Sequence, residues 1–126
     1  MVRLLVAAYL IAHGFVHVAI YVTPPDPSKP PPFDPHRSWA LAHVQAPAET
    51  VHESSILLAW MTAAAFTLTA VVVLAGGGWW PMAAVLAATL GLVFKALWFH
   101  PWLTVGVALD VGMIAAVGAQ WPASLY

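Results

Sequence analysis

From position 4 to 22 the chain is apolar almost throughout, and four exceptions, Tyr9, His13, His17 and Tyr21, recur at four-residue intervals. On an α-helix that spacing forms a single ridge. The pattern therefore predicts a helix that is greasy all round except along one polar line. Three more apolar stretches follow at 54–75, 81–100 and 102–120, each near the ~20 residues that cross a bilayer. The helix containing the second stretch is expected to begin earlier, near 48. Pro47 suits its start, and Glu49 and Glu53 sit near its positive end.

The long connection, 23–47, opens with TPPDPSKPPPFDP, which holds seven of the eleven prolines and reads as a stiff, extended surface segment. After it, Ser38 is placed to cap a short helix through Trp39, Leu41 and Val44 at the membrane surface. Gly76-Gly77-Gly78 makes a tight break, followed by Trp79 and Trp80 as an interfacial anchor. At His100-Pro101-Trp102 the proline disfavours helix at His100 and permits a new start. Connections this short make helices two, three and four sequential antiparallel neighbours. The expected fold is thus all-α: one integral membrane domain of four helices, about 4–22, 48–75, 81–100 and 102–120, with one long Pro-rich loop.

Composition narrows the class. Of 126 residues, 62% are hydrophobic and 7% charged, and the mean hydropathy is +0.85. Soluble domains carry about 25% charged residues. A cleaved signal peptide would explain Arg3 ahead of an apolar run, but two histidines interrupt that run and no small-residue cleavage site follows. With no cysteine, thiolate metal sites, disulfides and thiol redox chemistry are excluded. Four basic residues and a net charge of −1 leave nucleic-acid binding without an electrostatic basis. The expected partners are the lipid bilayer and either further copies of the chain or a larger membrane complex. Abundant Ala, Val and Leu hint at a bacterial chain from a GC-rich genome, and the expected location is a bacterial cytoplasmic membrane. A Pro-rich loop outside the cell puts both termini in the cytoplasm, although Arg3 against Lys29 and Arg37 barely orients the chain.

Antiparallel threading fixes relative depth. At ~1.5 Å per residue, His17 and His13 lie roughly 8 and 14 Å below the loop-side end of the first helix. Lys95 lies roughly 8 Å below His100, and Asp110 roughly 12 Å into the last helix. His13, His17, His52, Glu53, Lys95, His100 and Asp110 therefore share the loop-side half, whereas 71–75 and 81–86 hold no ionisable group. Facing agrees. Ala84, Ala88, Gly91, Lys95 and Trp98 form a seam of small residues with Lys95 on it. His52, Ser55, Ala59, Thr62, Phe66 and Thr69 share a second face, and Gly106 sits one turn from Asp110. Matching depth on adjacent helices predicts a Lys95–Asp110 ion pair.

Ionisable groups at membrane depth are costly enough to suggest function. The candidate polar cluster is Tyr9, His13, His17, His52, Glu53, Lys95, His100 and Asp110. Two histidines one turn apart can bind one metal from a helix face. His13, His17, His52 and His100 are therefore candidate ligands of a transition metal or haem, with Asp110 or Glu53 beside them. Three functions remain open: an accessory or ligand-binding membrane subunit, a His-ligated metal or haem redox protein, and a proton-coupled small transporter. Histidine titrates near neutrality, which makes the last chemically available. His36 and His43 read as solvated or interfacial, and Trp60, Trp98, Phe99 and Trp102 as packing and interface groups. Tyr9 and Tyr21 read as hydrogen-bonding neighbours of the histidines, or in the case of Tyr21 as an ordinary interface aromatic. There is no serine or cysteine nucleophile arrangement.

In the first helix, Arg3-Leu4-Leu5 followed by His13-Gly14 and His17 resembles small bacterial four-helix membrane proteins of the DoxX-like type. The resemblance covers helix count, length and part of one helix. It implies a membrane accessory role and carries over no catalytic residue.

Overall fold

A computed structural model describes residues 1–22, 24, 28 and 33–126. Most of the stretch expected to be extended and Pro-rich, including Lys29, lies outside the described residues. Among those described there are helices and no strand: α1 (Val2–Tyr21), α2 (Trp39–His43), α3 (Ala48–Ala75), α4 (Trp80–Leu97) and α5 (Thr104–Gly118). Pro101–Leu103 is a 3-10 turn leading into α5, and Ala123–Leu125 is a second one. Four helices are long and apolar enough to cross a membrane: α1, α3, α4, and α5 with its leading turn.

The helix ends follow local chemistry. Ser38 caps α2, its Oγ accepting from the Leu41 N–H at 3.2 Å and donating to the Leu97 carbonyl at 2.6 Å. The Trp39 indole donates to the Ala96 carbonyl at 2.6 Å. Two of the carbonyls that α4 leaves open at its end are thus satisfied by the loop-side segment. Helix α3 stops at Gly76, whose φ of 71° favours glycine, with Gly77 N–H bonded to Val72 O and Gly76 N–H to Val73 O. Helix α4 ends at Leu97 rather than His100, because Pro101 holds His100 extended at φ −145° and ψ 141°. The His100 Nδ1 then accepts from the Trp102 N–H at 3.2 Å and caps the next turn.

Helix α1 packs along α3, α3 against α4, and α4 against α5. Two apolar cores result. One gathers Ala7, Leu10, Phe66, Ala70, Val73, Trp80 and Ala84, and the other Tyr21, Phe33, Val51, Ala59, Phe94, Trp98 and Leu103. Asp110 is the one buried residue of α5. That helix is held by α4 and does not pack along α1, so the seam between first and last helices is open.

Candidate functional site

Between the two cores lies a polar layer built by three helices. His13 and His17 come from α1, Lys95 from α4 and Asp110 from α5, all of them buried. The pair expected from depth is present: Lys95 Nζ donates to Asp110 Oδ2 at 2.8 Å. The other carboxylate oxygen, Oδ1, accepts from His13 Nε2 at 2.6 Å. Lys95 Nζ also donates to His17 Nε2 at 2.6 Å. Because His17 Nδ1 donates to the His13 carbonyl at 3.1 Å, its Nε2 is free to be that acceptor. The chain of bonds runs His17–Lys95–Asp110–His13, and the ammonium and carboxylate cancel in charge.

Aromatic rings wall this network. Phe66 stands edge-on to His13 with centroids 4.9 Å apart. Both Phe66 and Phe94 stack on His17, at 6.1 and 6.2 Å. Tyr9 stacks on His13 at 5.7 Å. Such apolar neighbours lower the local dielectric, which strengthens each hydrogen bond and raises the cost of breaking one.

Space for the ion pair comes from two reciprocal glycines. A Cβ on Gly91 of α4 would stand 2.6 Å from Asp110 Oδ2, and one on Gly106 of α5 would stand 2.7 Å from Lys95 Cε. Each helix leaves a notch where the other helix's charged side chain passes. On α1, Gly14 lets α3 approach, since a Cβ there would meet Phe66 Cβ at 2.8 Å and Ala63 backbone at 3.3 Å.

The structure brings together His13, His17, Lys95 and Asp110, with Tyr9 at their edge. It does not bring His52, Glu53 or His100 to them. His52 lies fourteen residues before Phe66 on α3, roughly 21 Å along the axis. There it stacks on His36 at 4.0 Å, and its Nδ1 is buried without a hydrogen-bond partner. Glu53 is exposed. His36 bonds Asp34, and His43 Nδ1 bonds its own helix at the Trp39 carbonyl. Neither Tyr9 nor Tyr21 is hydrogen-bonded to the histidines: Tyr9 only stacks on His13. The Tyr21 ring packs against Phe33 and Phe94, and its buried hydroxyl has no partner among the described residues. On α3 the buried Ser55, Thr62 and Thr69 hydroxyls bond backbone carbonyls of their own helix, so they contribute nothing to the network.

As a ligand set for metal, one nitrogen each from His13 and His17 and an Asp110 oxygen lie within 4.8 Å of one another. Two histidines and a carboxylate are suitable chemistry for zinc or another transition metal. Yet the His17 Nε2 lone pair and Asp110 Oδ2 already face the Lys95 ammonium, which fills the cation position. Haem fits less well. Both imidazoles project from one ridge of α1, with ring centroids 5.4 Å apart, and are packed by Phe66. Axial ligation needs imidazoles presented to the faces of a large flat ring.

Sequence reasoning did not identify Phe94 as a wall of the site or the two glycines as notches for particular side chains. The small-residue seam containing Gly91 and Lys95 was the available signal. Phe94 offered none beyond its place beside Lys95. Comparison with family models, curated proteins and solved structures returns no match for this chain.

Proposed function

We propose that this chain is an integral membrane protein that crosses the bilayer four times and serves as an accessory or ligand-binding subunit. Its polar layer acts as a clasp that holds α1 to α4 and α5. One observation supports this most: Asp110, fully buried, has one carboxylate oxygen bonded to Lys95 of α4 and the other to His13 of α1. A network so completely engaged internally is suited to fixing helices rather than to turnover. In this reading the protein sits in a bacterial cytoplasmic membrane with both termini inside. It works as an oligomer or in a larger complex, which accords with the DoxX-like look of α1.

The test has two arms. Alkaline carbonate extraction should leave the chain in the membrane pellet, and release into the supernatant refutes the membrane reading. Mild-detergent isolation from native membranes should retain a second component or a defined oligomer. A strictly monomeric chain with no retained molecule refutes the subunit reading.

A second reading, metal binding at His13, His17 and Asp110, is favoured by the spacing of those atoms. It requires Lys95 to withdraw. Elemental analysis of the purified protein decides it, one equivalent of a transition metal being the supporting result.

A further inference from the structure

We infer that the open seam between α1 and α5 is a binding site for a neutral, lipid-soluble small molecule carrying a hydrogen-bond acceptor such as a carbonyl. The inference rests on the membrane reading above and names the class of ligand. The seam holds a groove of about 240 Å³. Val6, Tyr9 and Leu10 form one wall, and Ala108, Gly112 and Met113 are among the residues forming the other.

Both ends of the groove are marked by fixed side chains. At the outer end, Trp121, Pro122 and Trp80 line it. The Trp80 indole donates to the Leu125 carbonyl at 3.3 Å, and the Tyr126 hydroxyl donates to Val117 O at 3.1 Å, so this end is tied down. At the inner end stands Tyr9, stacked on His13 and hence on the polar layer. A helix, ~10 Å across and running the depth of the bilayer, does not fit in a groove of about 240 Å³. A small molecule entering sideways from lipid does.

Tyr9 supplies the polar point of recognition. It lines the groove, it is 39% exposed, and among the described residues its hydroxyl makes no hydrogen bond. It lies roughly 10 Å from the start of α1, inside the hydrocarbon, where an unbonded hydroxyl is costly and water does not supply the acceptor. A ligand acceptor would satisfy it. The remaining lining is apolar, which matches a small site with few polar contacts. A phospholipid fits less well, because its polar groups stay at the surface, far from Tyr9.

Benzophenone is a suitable probe, being neutral, lipophilic and equipped with one carbonyl that also crosslinks on irradiation. With the full chain in nanodiscs, labelling should saturate and fall on α5 peptides around Gly112 and Met113. Gly112→Leu should abolish it. A Cβ at Gly112 meets nothing within 4 Å, so a side chain there starts into open space along the groove. Tyr9→Phe keeps the ring and removes the donor, and should weaken apparent affinity about five-fold, the worth of one hydrogen bond. Diphenylmethane, which lacks the carbonyl, should compete less well by a similar factor. Unsaturable labelling spread over lipid-facing residues, or labelling indifferent to Gly112→Leu, overturns the site. If Tyr9→Phe changes nothing and diphenylmethane competes equally, the groove is an acyl-chain slot and the acceptor-bearing ligand is refuted. Any of these results in a chain that still resists carbonate extraction sinks the groove alone and leaves the membrane reading intact.

Discussion

Replacing Asp110 with Asn isolates the electrostatics of the polar layer with almost no change of shape. The carboxylate is wholly buried and takes hydrogen bonds at 2.8 and 2.6 Å. Asn keeps one acceptor, but presents an NH2 group to either Lys95 or His13, and it leaves the ammonium without a counter-charge. Removing one partner of a buried pair costs about 3–5 kcal/mol. The retained acceptor argues for the lower end, about 3 kcal/mol, or roughly a hundredfold in the folded-to-unfolded ratio. Lys95→Met should cost a comparable amount, by stranding the carboxylate and the His17 acceptor. In the double variant no buried charge lacks a partner. The His17 acceptor and the introduced amide NH2, which both faced the ammonium, are left over, at about 1 kcal/mol each. Reversible unfolding in mixed micelles by denaturing detergent, followed by the fluorescence of the seven tryptophans, gives all four free energies. The double variant should be more stable than either single one. If the two single losses add within about 0.5 kcal/mol, the groups are not coupled and the clasp does not exist.

The notches make their own prediction. Gly91→Ala should cost about 1–3 kcal/mol in the native background, because its Cβ falls 2.6 Å from one oxygen of a carboxylate held by a bond at each oxygen, and should be harmless when Asp110 and Lys95 are both apolar and small. Detergent unfolding of the two backgrounds checks it; equal losses would mean the notch is not there for Asp110. Gly14→Ala should destabilise by a similar amount, since it meets Phe66 Cβ and the Ala63 backbone and a helix gains only about 1 kcal/mol from alanine. A more stable Gly14→Ala protein in the same assay contradicts the close α1–α3 approach. Lys95→Ala removes the cation from among His13, His17 and Asp110, so zinc should raise the melting temperature of that variant and not of the native chain. At a hundredfold excess over Kd the gain is about 2.7 kcal/mol; a zinc response in the native chain would favour the metal reading instead.

How far the sequence reveals this arrangement depends on the kind of constraint involved. Helices long and apolar enough to span are written in composition, and their ends in Ser38, Gly76 and Pro101, each acting locally. Depth is also legible, because rise per residue is fixed and short turns force antiparallel neighbours. For this reason Lys95 and Asp110 pair as threading implies. Depth within one half of a bundle is coarser than contact, however. His52 and His100 share that half with His17, yet they sit at helix ends, where His100 caps a turn and His52 meets His36. The contact between His13 and Asp110 joins residues ninety-seven positions apart, on helices that do not pack along one another. No periodicity encodes it.

That contact also explains why the groove and the clasp occur together. In a bilayer, where we propose these helices lie, apolar faces gain little by meeting each other, so helix pairs rely on close backbone approach or on polar bonds. Helices α1 and α3 use the first device at Gly14, and α4 and α5 use both, with Gly91 and Gly106 admitting the ion pair. Helices α1 and α5 have only the second. An imidazole and a carboxylate, laid end to end, hold their backbones at side-chain distance and prevent the seam from closing. Beside the bridge, Ala108 and Gly112, flanking Asp110 on α5, are too small to fill the gap toward Val6 and Tyr9. The polar layer therefore does more than tie the first helix to the last. By setting their separation it creates the groove, and shortening the bridge should close the groove as surely as filling it.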